Sequence, residues 1–141
     1  PLKLLDLACG YGVMGIVLKR TYPAFDLTLT DVNERALALT EENLLANDVR
    51  YAQVLASDGF EALADERYSV IVCNPPIRAG KPVVQRLLQE SHEYLAEGGR
   101  LYAVIGKKQG APSYQRFLEE IFGQVERIGR GQGFYVLRCI K

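Results

Sequence analysis

Apolar and polar positions along the chain form a regular succession of strand-like and helix-like segments. Short runs of continuous or alternating apolar residues predict strands, and apolar residues at helical spacing predict helices. The predicted strands cover residues 2–8, 25–30, 51–56, 68–73, 100–105, 125–128 and 134–140. The predicted helices cover residues 13–22, 33–46, 82–96 and 113–122, the second capped by Asn33 and the third opened by Pro82.

Strands and helices alternate through the first five strands, whereas the last two strands follow each other without a helix. Because crossovers between parallel strands are right-handed, the alternation predicts an open, mostly parallel sheet with helices on both faces. The final two strands, joined by residues 129–133, must pair antiparallel. In such α/β sheets ligands bind beyond the carboxyl ends of the strands, here beside the first and fourth.

A glycine-rich loop lies between the first strand and the first helix. Gly10, Gly12 and Gly15 have the spacing G-x-G-x-x-G, and Asp31 follows Gly12 by 19 residues at the end of the second strand. Glycines allow a tight turn and close backbone approach to a ligand, while the carboxylate can accept hydrogen bonds from ribose hydroxyls. The pattern predicts a site for an adenosine cofactor, although an ordinary strand-to-helix turn is the simpler alternative.

Two further aspartates bear on the choice of cofactor. Asp6 lies near the end of the first strand, where we expect it at the mouth of the site. A pyrophosphate ~5 Å from its carboxylate would cost about 3 kcal/mol at an effective dielectric of 20. We therefore expect the cationic S-adenosylmethionine rather than NAD, with Asp6 attracting it or positioning loop amides. Asp58 follows the third strand and is a candidate for the adenine amino group, or simply a helix cap.

The fourth strand ends in the sequence Asn74-Pro75-Pro76-Ile77. The prolines stiffen the exit and remove two backbone donors, so we expect outward carbonyls without partners. An Asn74 side-chain oxygen and a Pro75 carbonyl could hold both hydrogens of an exocyclic amine and aim its nitrogen at a methyl group. The alternative is that the prolines only make a turn.

Composition and charge add to this interpretation. The chain has 141 residues, enough for one domain. Its 17 basic side chains balance 17 acidic ones, but residues 1–70 carry 6 basic and 11 acidic side chains, and residues 71–141 carry 11 basic and 6 acidic ones. Cys9, Cys73, Cys139 and the lone His92 lie far apart, which argues against a metal site and a disulfide framework. Without an apolar run long enough for a membrane, we expect a cytoplasmic protein. Because the chain enters a strand almost at once after Pro1, we also expect a longer protein with an upstream segment.

At these residues the chain resembles the class I S-adenosylmethionine-dependent methyltransferases over its whole length. The resemblance implies a doubly wound, Rossmann-like, seven-stranded sheet of order 3-2-1-4-5-7-6 with the last strand antiparallel. Ile77, followed by Arg78-Ala79-Gly80-Lys81, is similar to the ribosomal RNA guanine-N2 methyltransferases of the small-subunit methyltransferase C type. Ala8 departs from the glycine that many relatives have there.

The resemblance also implies roles for individual residues. The cofactor would be bound by Asp6, Ala8, Cys9, Gly10, Gly12, Asp31, Val32, Asp58, Gly59 and Asn74. The target amine would be held by Asn74, Pro75, Pro76 and Ile77, and RNA phosphates by Arg78, Lys81, Lys107 and Lys108.

Two alternatives remain open at this point. The acceptor could be an adenine or a protein glutamine, against which Ile77 stands because those enzymes typically carry an aromatic residue there. The domain could also be a non-catalytic cofactor-binding or RNA-binding module, against which the intact glycine loop, Asp31 and Asn74 argue.

Overall fold

The computed structural model describes residues 2–141, which form a seven-stranded sheet with helices on both faces. The strands are β1 (Leu2–Leu7), β2 (Phe25–Asp31), β3 (Gln53–Ala56), β4 (Tyr68–Cys73), β5 (Leu95–Gly106), β6 (Val125–Gly131) and β7 (Phe134–Ile140). The helices are α1 (Val13–Thr21), α2 (Glu34–Ala46), α3 (Lys81–Tyr94) and α4 (Ala111–Phe122), with 3₁₀ turns at Ile77–Ala79 and Lys107–Gln109.

The strand order is β3-β2-β1-β4-β5-β7-β6, and β7 runs antiparallel to both β5 and β6. The predicted fold class and strand order are therefore confirmed. The first five strands are parallel, so their carboxyl ends meet at one edge of the sheet, which we call the ligand edge.

The core lies on both faces of the sheet. One cluster of buried side chains packs α3 and α4 against β4, β5 and β7, and a second packs α1 and α2 against β1 and β2. On the α1 side, an apolar cleft of about 1080 Å³ runs between α1 and the strands β4 and β5. Of the helices within residues 2–141, none combines the length and apolar character that crossing a bilayer requires.

The predicted boundary between the third helix and the fifth strand is wrong. The helix ends at Tyr94 rather than at residue 96, and β5 already begins at Leu95, which pairs with Tyr68 before a bulge. Gly99 lies inside the strand; a Cβ there would sit 2.7 Å from the Ala96 carbonyl oxygen. The paired glycines therefore shape a bulged strand instead of ending a helix.

Three other boundaries also differ from their predictions. The third strand starts at residue 53 because Tyr51 has a φ of 63° and turns away from the sheet, and α4 starts at Ala111 rather than at residue 113. β6 continues to Gly131, so the hairpin turn consists of Gln132 and Gly133 alone. Both have positive φ, of 50° and 84°, as the tight turn between twisted antiparallel strands requires.

Asp6 lies inside the fold rather than at an open strand end. It is completely buried beneath α1, and its Oδ2 accepts a hydrogen bond of 2.8 Å from the Gly15 N–H in the first turn of the helix. A Cβ on Gly15 would stand 3.0 Å from both Asp6 Oδ2 and Leu29 Cδ2, so the glycine lets α1 approach the sheet. Burial raises the pKa of Asp6 from 3.8 to about 7.

The expectation that Asp6 faces the cofactor as a charge at the mouth of the site is therefore wrong. Its other proposed role, the positioning of loop amides, agrees with the bond to Gly15. A carboxyl group with a pKa of about 7 is only partly ionised at neutral pH, so Asp6 gives no strong charge-based discrimination between NAD and S-adenosylmethionine.

We predict that Asp6→Asn flattens the pH dependence of stability. Because the folded-state pKa of about 7 exceeds the ordinary 3.8, the folded protein holds the proton more tightly, and stability falls as pH rises between these values. A difference of about three pK units between the folded and unfolded states changes the free energy of unfolding by at most about 4 kcal/mol. Urea unfolding from pH 4 to 8 should show this fall in the wild type and not in Asp6→Asn, with exposed Asp26→Asn as control. A fall of equal size in Asp6→Asn would contradict it.

Candidate functional site

The glycine loop and the Asn-Pro-Pro turn leave the sheet side by side. Leu7, the last residue of β1, is the register partner of Cys73, the last residue of β4. Since neighbouring strands lie about 4.8 Å apart, the loop that starts at Ala8 and the turn that starts at Asn74 begin next to each other at the ligand edge. This adjacency joins the predicted cofactor loop to the predicted amine-binding turn.

The loop backbone adopts a conformation that suits close approach. Ala8, Gly10 and Gly12 have φ of 55°, 58° and 84°. A Cβ on Gly10 would meet nothing within 4 Å, so open space lies against this residue, whereas one on Gly12 would lie 2.9 Å from Thr40 Cγ2. Gly10 can therefore face a ligand, while Gly12 is required by packing.

Helix α2 supports the loop from below through side chains that sequence analysis missed. Thr40 Oγ1 donates to the Gly10 carbonyl oxygen at 2.7 Å, and Asn43 Nδ2 donates to the Tyr11 carbonyl oxygen at 2.9 Å. A threonine on the apolar face of α2 was the sequence signal that could have pointed to a role for Thr40. The sequence could not show which group the threonine contacts. The two bonds fix the carbonyl side of the loop.

Asp31 holds the amide side of the same loop. Its Oδ2 accepts the Gly10 N–H and its Oδ1 accepts the Asn33 N–H, each at 2.9 Å. Asn33 in turn caps α2, accepting the N–H groups of Arg35 and Ala36. The half-buried carboxylate thus joins loop, strand and helix and keeps lone pairs that a ribose could use.

A cleft of about 330 Å³ opens at the ends of β1, β2 and β3. It brings together six of the predicted site residues, which are Ala8, Asp31, Val32, Asp58, Gly59 and Pro76. The larger apolar cleft contains none of the predicted residues in its lining. The small cleft is where these six residues meet, whereas the predicted cofactor residues Asp6, Cys9, Gly10, Gly12 and Asn74 do not line it.

Asp58 and α3 form one wall of this cleft. The Asp58 carboxylate accepts a hydrogen bond of 2.7 Å from Arg86, which also lies 3.7 Å from Glu90. The capping alternative for Asp58 is wrong, because residues 58–65 form turns and no helix lies between β3 and β4. Ser57 Oγ instead stabilises these turns by accepting the Ala62 N–H at 3.1 Å. Arg86 was not predicted, and no spacing in the sequence linked it to Asp58.

The Asn-Pro-Pro turn presents two acceptors at the other side of the loop. Asn74 is exposed and its side chain makes no hydrogen bond within residues 2–141, and the Pro75 carbonyl has no backbone partner there either. The expectation of free carbonyls is wrong for Pro76, which accepts the Ala79 N–H at 2.9 Å in the 3₁₀ turn. Asn74 is thus the exposed acceptor of the turn, whereas Pro75, whose carbonyl has no partner within residues 2–141, is itself buried.

Ile77 and the predicted basic residues surround this turn. Ile77 is half-buried and packs against the core cluster of α3 and α4. Arg78 is exposed on the turn, Lys81 is the exposed first residue of α3, and Lys107 and Lys108 follow the end of β5. None of these four cations forms an ion pair within residues 2–141.

The surroundings of the cysteines near the site disfavour the thiolate form. Burial raises the pKa of Cys9 to about 12 and also raises the pKa of Cys73, so both thiols stay protonated at neutral pH. His92 lies on α3 with its ring 4.9 Å from that of Phe122, away from the cleft residues. The site offers acceptors and backbone amides rather than a strong base or a covalent catalyst.

Comparison with known proteins supports a single interpretation. Residues 2–138 match the family model "Methyltransferase small domain". The chain is 39% identical over 139 residues to the uncharacterized protein YbxB of Bacillus subtilis, covering 98% of this chain and 69% of that protein. It is 38% identical over 137 residues to ribosomal RNA small subunit methyltransferase C of Pseudomonas aeruginosa, covering 94% of this chain and 40% of that protein.

A solved structure is similar at the level of the fold and of the sequence. The 16S rRNA N2 G1207 methyltransferase RsmC of T. thermophilus, in complex with AdoMet and guanosine, has a TM-score of 0.85 and 29% identity, covering 99% of this chain and 37% of that one. The chain thus spans well under half of the named methyltransferases that it matches. The predicted class, an S-adenosylmethionine-dependent methyltransferase, is confirmed at the family level, and the chain belongs to the methyltransferase small domain family.

Proposed function

We propose that the domain methylates an exocyclic amine, the N2 of guanine in ribosomal RNA, with S-adenosylmethionine as methyl donor. The observation that carries the proposal is the adjacency of the glycine loop and the Asn74 turn, fixed by the register of Leu7 and Cys73. A cofactor on one and an amine on the other would meet at the ligand edge.

The residues around the small cleft fit S-adenosylmethionine. Open space beside Gly10 accommodates a ligand, Asp31 can accept ribose hydroxyls, and Asp58 keeps one carboxylate oxygen for the adenine amino group. Exposed Val32 supplies an apolar rim between them. When bound, this cofactor supplies an electrophilic methyl group on a sulfonium centre.

The acceptor amine would be held by Asn74 and Pro75. The lone pair of an exocyclic amine is delocalised into its ring, so the amine is a poor nucleophile until its nitrogen is oriented. Two hydrogen bonds, to Asn74 Oδ1 and the Pro75 oxygen, would fix both N–H groups and direct the nitrogen toward the glycine loop. The methylated amine then loses its extra proton to solvent, which agrees with a site that holds no strong base.

Guanine in RNA is favoured over the other acceptors by two observations. Ile77 and the Arg78-Ala79-Gly80-Lys81 sequence resemble the guanine-N2 enzymes, and the named relatives act on small-subunit ribosomal RNA. Unpaired cations at Arg78, Lys81, Lys107 and Lys108 suit a phosphate backbone. An adenine or protein glutamine acceptor is the second candidate, favoured only by the amine-binding turn that all three share.

We expect Asp31→Ala to weaken cofactor binding. The variant loses charge-assisted hydrogen bonds to the ribose of about 1.5 to 3 kcal/mol, which corresponds to a roughly 10- to 150-fold rise in Kd. It also frees the Gly10 and Asn33 amides. Titration calorimetry with S-adenosylmethionine measures the change. Asp26→Ala, at the opposite end of β2, serves as control, and an affinity unaltered by loss of Asp31 would refute the cofactor site.

Asn74→Ala should separate binding of the cofactor from transfer of the methyl group. The variant leaves Asp31 and the glycine loop untouched, so we expect the Kd of S-adenosylmethionine to stay within about twofold. Transfer of labelled methyl to small-subunit ribosomal RNA should fall at least about 100-fold, because the amine is no longer held. Asn74→Asp, which keeps an acceptor oxygen, should retain more activity than the alanine variant.

The matched control for that experiment is Asn47→Ala at the end of α2, away from the ligand edge. Undiminished transfer by Asn74→Ala would show that this side chain does not hold the amine. Absence of transfer by the wild type to RNA, with transfer to a protein, would instead support the second candidate.

A further inference from the structure

The β6–β7 hairpin contains an irregularity that decides where two of its arginines point. Arg127 lies opposite Leu137 and Arg130 lies opposite Tyr135, with one extra residue of β6 accommodated between them. Residues three apart in a regular strand point to opposite faces of the sheet. Because of the bulge, both arginines instead share the face of their cross-strand partners.

Tyr135 is the centre of the cluster that results. Its ring centroid lies 4.5 Å from the guanidinium carbon of Arg127 and 5.5 Å from Lys107 Nζ, both within the range of cation–π interaction. Lys107 reaches the hairpin because its backbone N–H donates to the Gly133 carbonyl oxygen at 2.8 Å. We call Lys107, Arg127, Arg130 and Tyr135 the hairpin cation cluster.

The positive charge of this cluster is not neutralised by the protein. None of its three cations forms an ion pair among residues 2–141. The nearby acid of β6, Glu126, is already bound to Arg138 at 3.0 Å. Lys107 and Arg127 lie against the Tyr135 ring, and Arg130 is the cross-strand partner of Tyr135. These like charges repel each other, and a polyanion would relieve that repulsion.

The cluster lies near the ligand edge, on the same face as the amine-binding turn. Cys73, Ala103 and Leu137 are register partners across β4, β5 and β7, and Tyr135 lies two residues beyond Leu137 toward the ligand edge. Two strand spacings separate β4 from β7, or about 10 Å. Tyr135 and Ile77 pack against the same core cluster, so both lie on the α3–α4 side of the sheet.

We infer that the hairpin cation cluster binds phosphates of the RNA strand next to the target nucleotide. The inference rests on the proposed function and adds Arg127, Arg130 and Tyr135 to the residues that contact substrate. A guanidinium presents paired donors that match phosphate oxygens. The separation of about 10 Å between β7 and β4 suits an RNA strand whose target base enters the Asn74 turn while its neighbouring phosphates contact the hairpin. RNA is favoured over an acidic protein because the proposed function places a guanine of RNA at that turn.

The test measures how RNA affinity depends on salt. The full chain, saturated with S-adenosylmethionine, is titrated against a single-stranded oligonucleotide of small-subunit ribosomal RNA between about 50 and 200 mM salt. Each lost phosphate contact lowers the slope of log K against log salt by about 0.7 for single strands. For Arg127→Gln with Arg130→Gln we expect a slope lower by about 1.4 and a Kd about 20-fold higher near 0.1 M salt.

Two controls make the result specific to the hairpin. Arg20→Gln with Arg50→Gln removes the same charge at the opposite end of the sheet and should retain the wild-type slope. Arg127→Lys with Arg130→Lys keeps the charge and should retain most of the affinity. Calorimetry with S-adenosylmethionine and the Tm of each variant verify that the fold and the cofactor site are intact.

The outcomes separate this inference from the proposed function. The hairpin site is overturned if the Arg127 and Arg130 glutamine variant keeps the wild-type slope of log K against log salt. It is also overturned if the Arg20 and Arg50 control loses as much of that slope. The proposed function stands in both cases. Failure of the wild type to bind RNA, with binding of an acidic peptide, overturns both.

Discussion

The Asp31 carboxylate is the interaction on which the ligand edge depends. Its two oxygens accept the Gly10 and Asn33 amides, so one side chain at the end of β2 orients the glycine loop of β1 and the start of α2. The opposite side of the loop is tied to α2 by Thr40. Without these bonds, Gly10 would lose the side-chain contacts that orient it, and with them the open space at which a ligand can approach.

Two carboxylates of similar sequence context have different physical roles in this arrangement. Asp6 and Asp31 both lie at or near the end of an apolar strand, yet Asp6 is buried beneath α1 and Asp31 lies at the cleft. The difference follows from Gly15, which lets the helix pack onto Asp6. Burial then raises the pKa of Asp6 to about 7, which is suited to a structural carboxyl group and not to a permanent charge.

The sequence pattern predicted a mostly parallel sheet with a terminal hairpin because the alternation of strands and helices is a local signal. The strand order and the class of enzyme came from the resemblance that the two loop motifs carry. The pattern could not predict that Asp6 is covered, that Arg86 binds Asp58 or that Arg127 and Arg130 share a face. Each of these depends on contacts between distant segments or on a single bulge. S-adenosylmethionine was the right expectation for this family, although the charge of Asp6 was the wrong reason for it.

The zero net charge of the chain now has a spatial interpretation. Acidic Asp31 and Asp58 line the cleft beyond β1 to β3, while unpaired cations lie beyond β4, on the 3₁₀ turn after β5 and on the hairpin. The proposed cofactor site and the proposed phosphate-binding surface would therefore occupy neighbouring parts of one edge, with the Asn74 turn between them. The most direct test gives the full-length protein labelled S-adenosylmethionine and small ribosomal subunits, and identifies the labelled product after complete digestion. We predict N2-methylguanosine; label in N6-methyladenosine or in a protein glutamine would contradict the assignment.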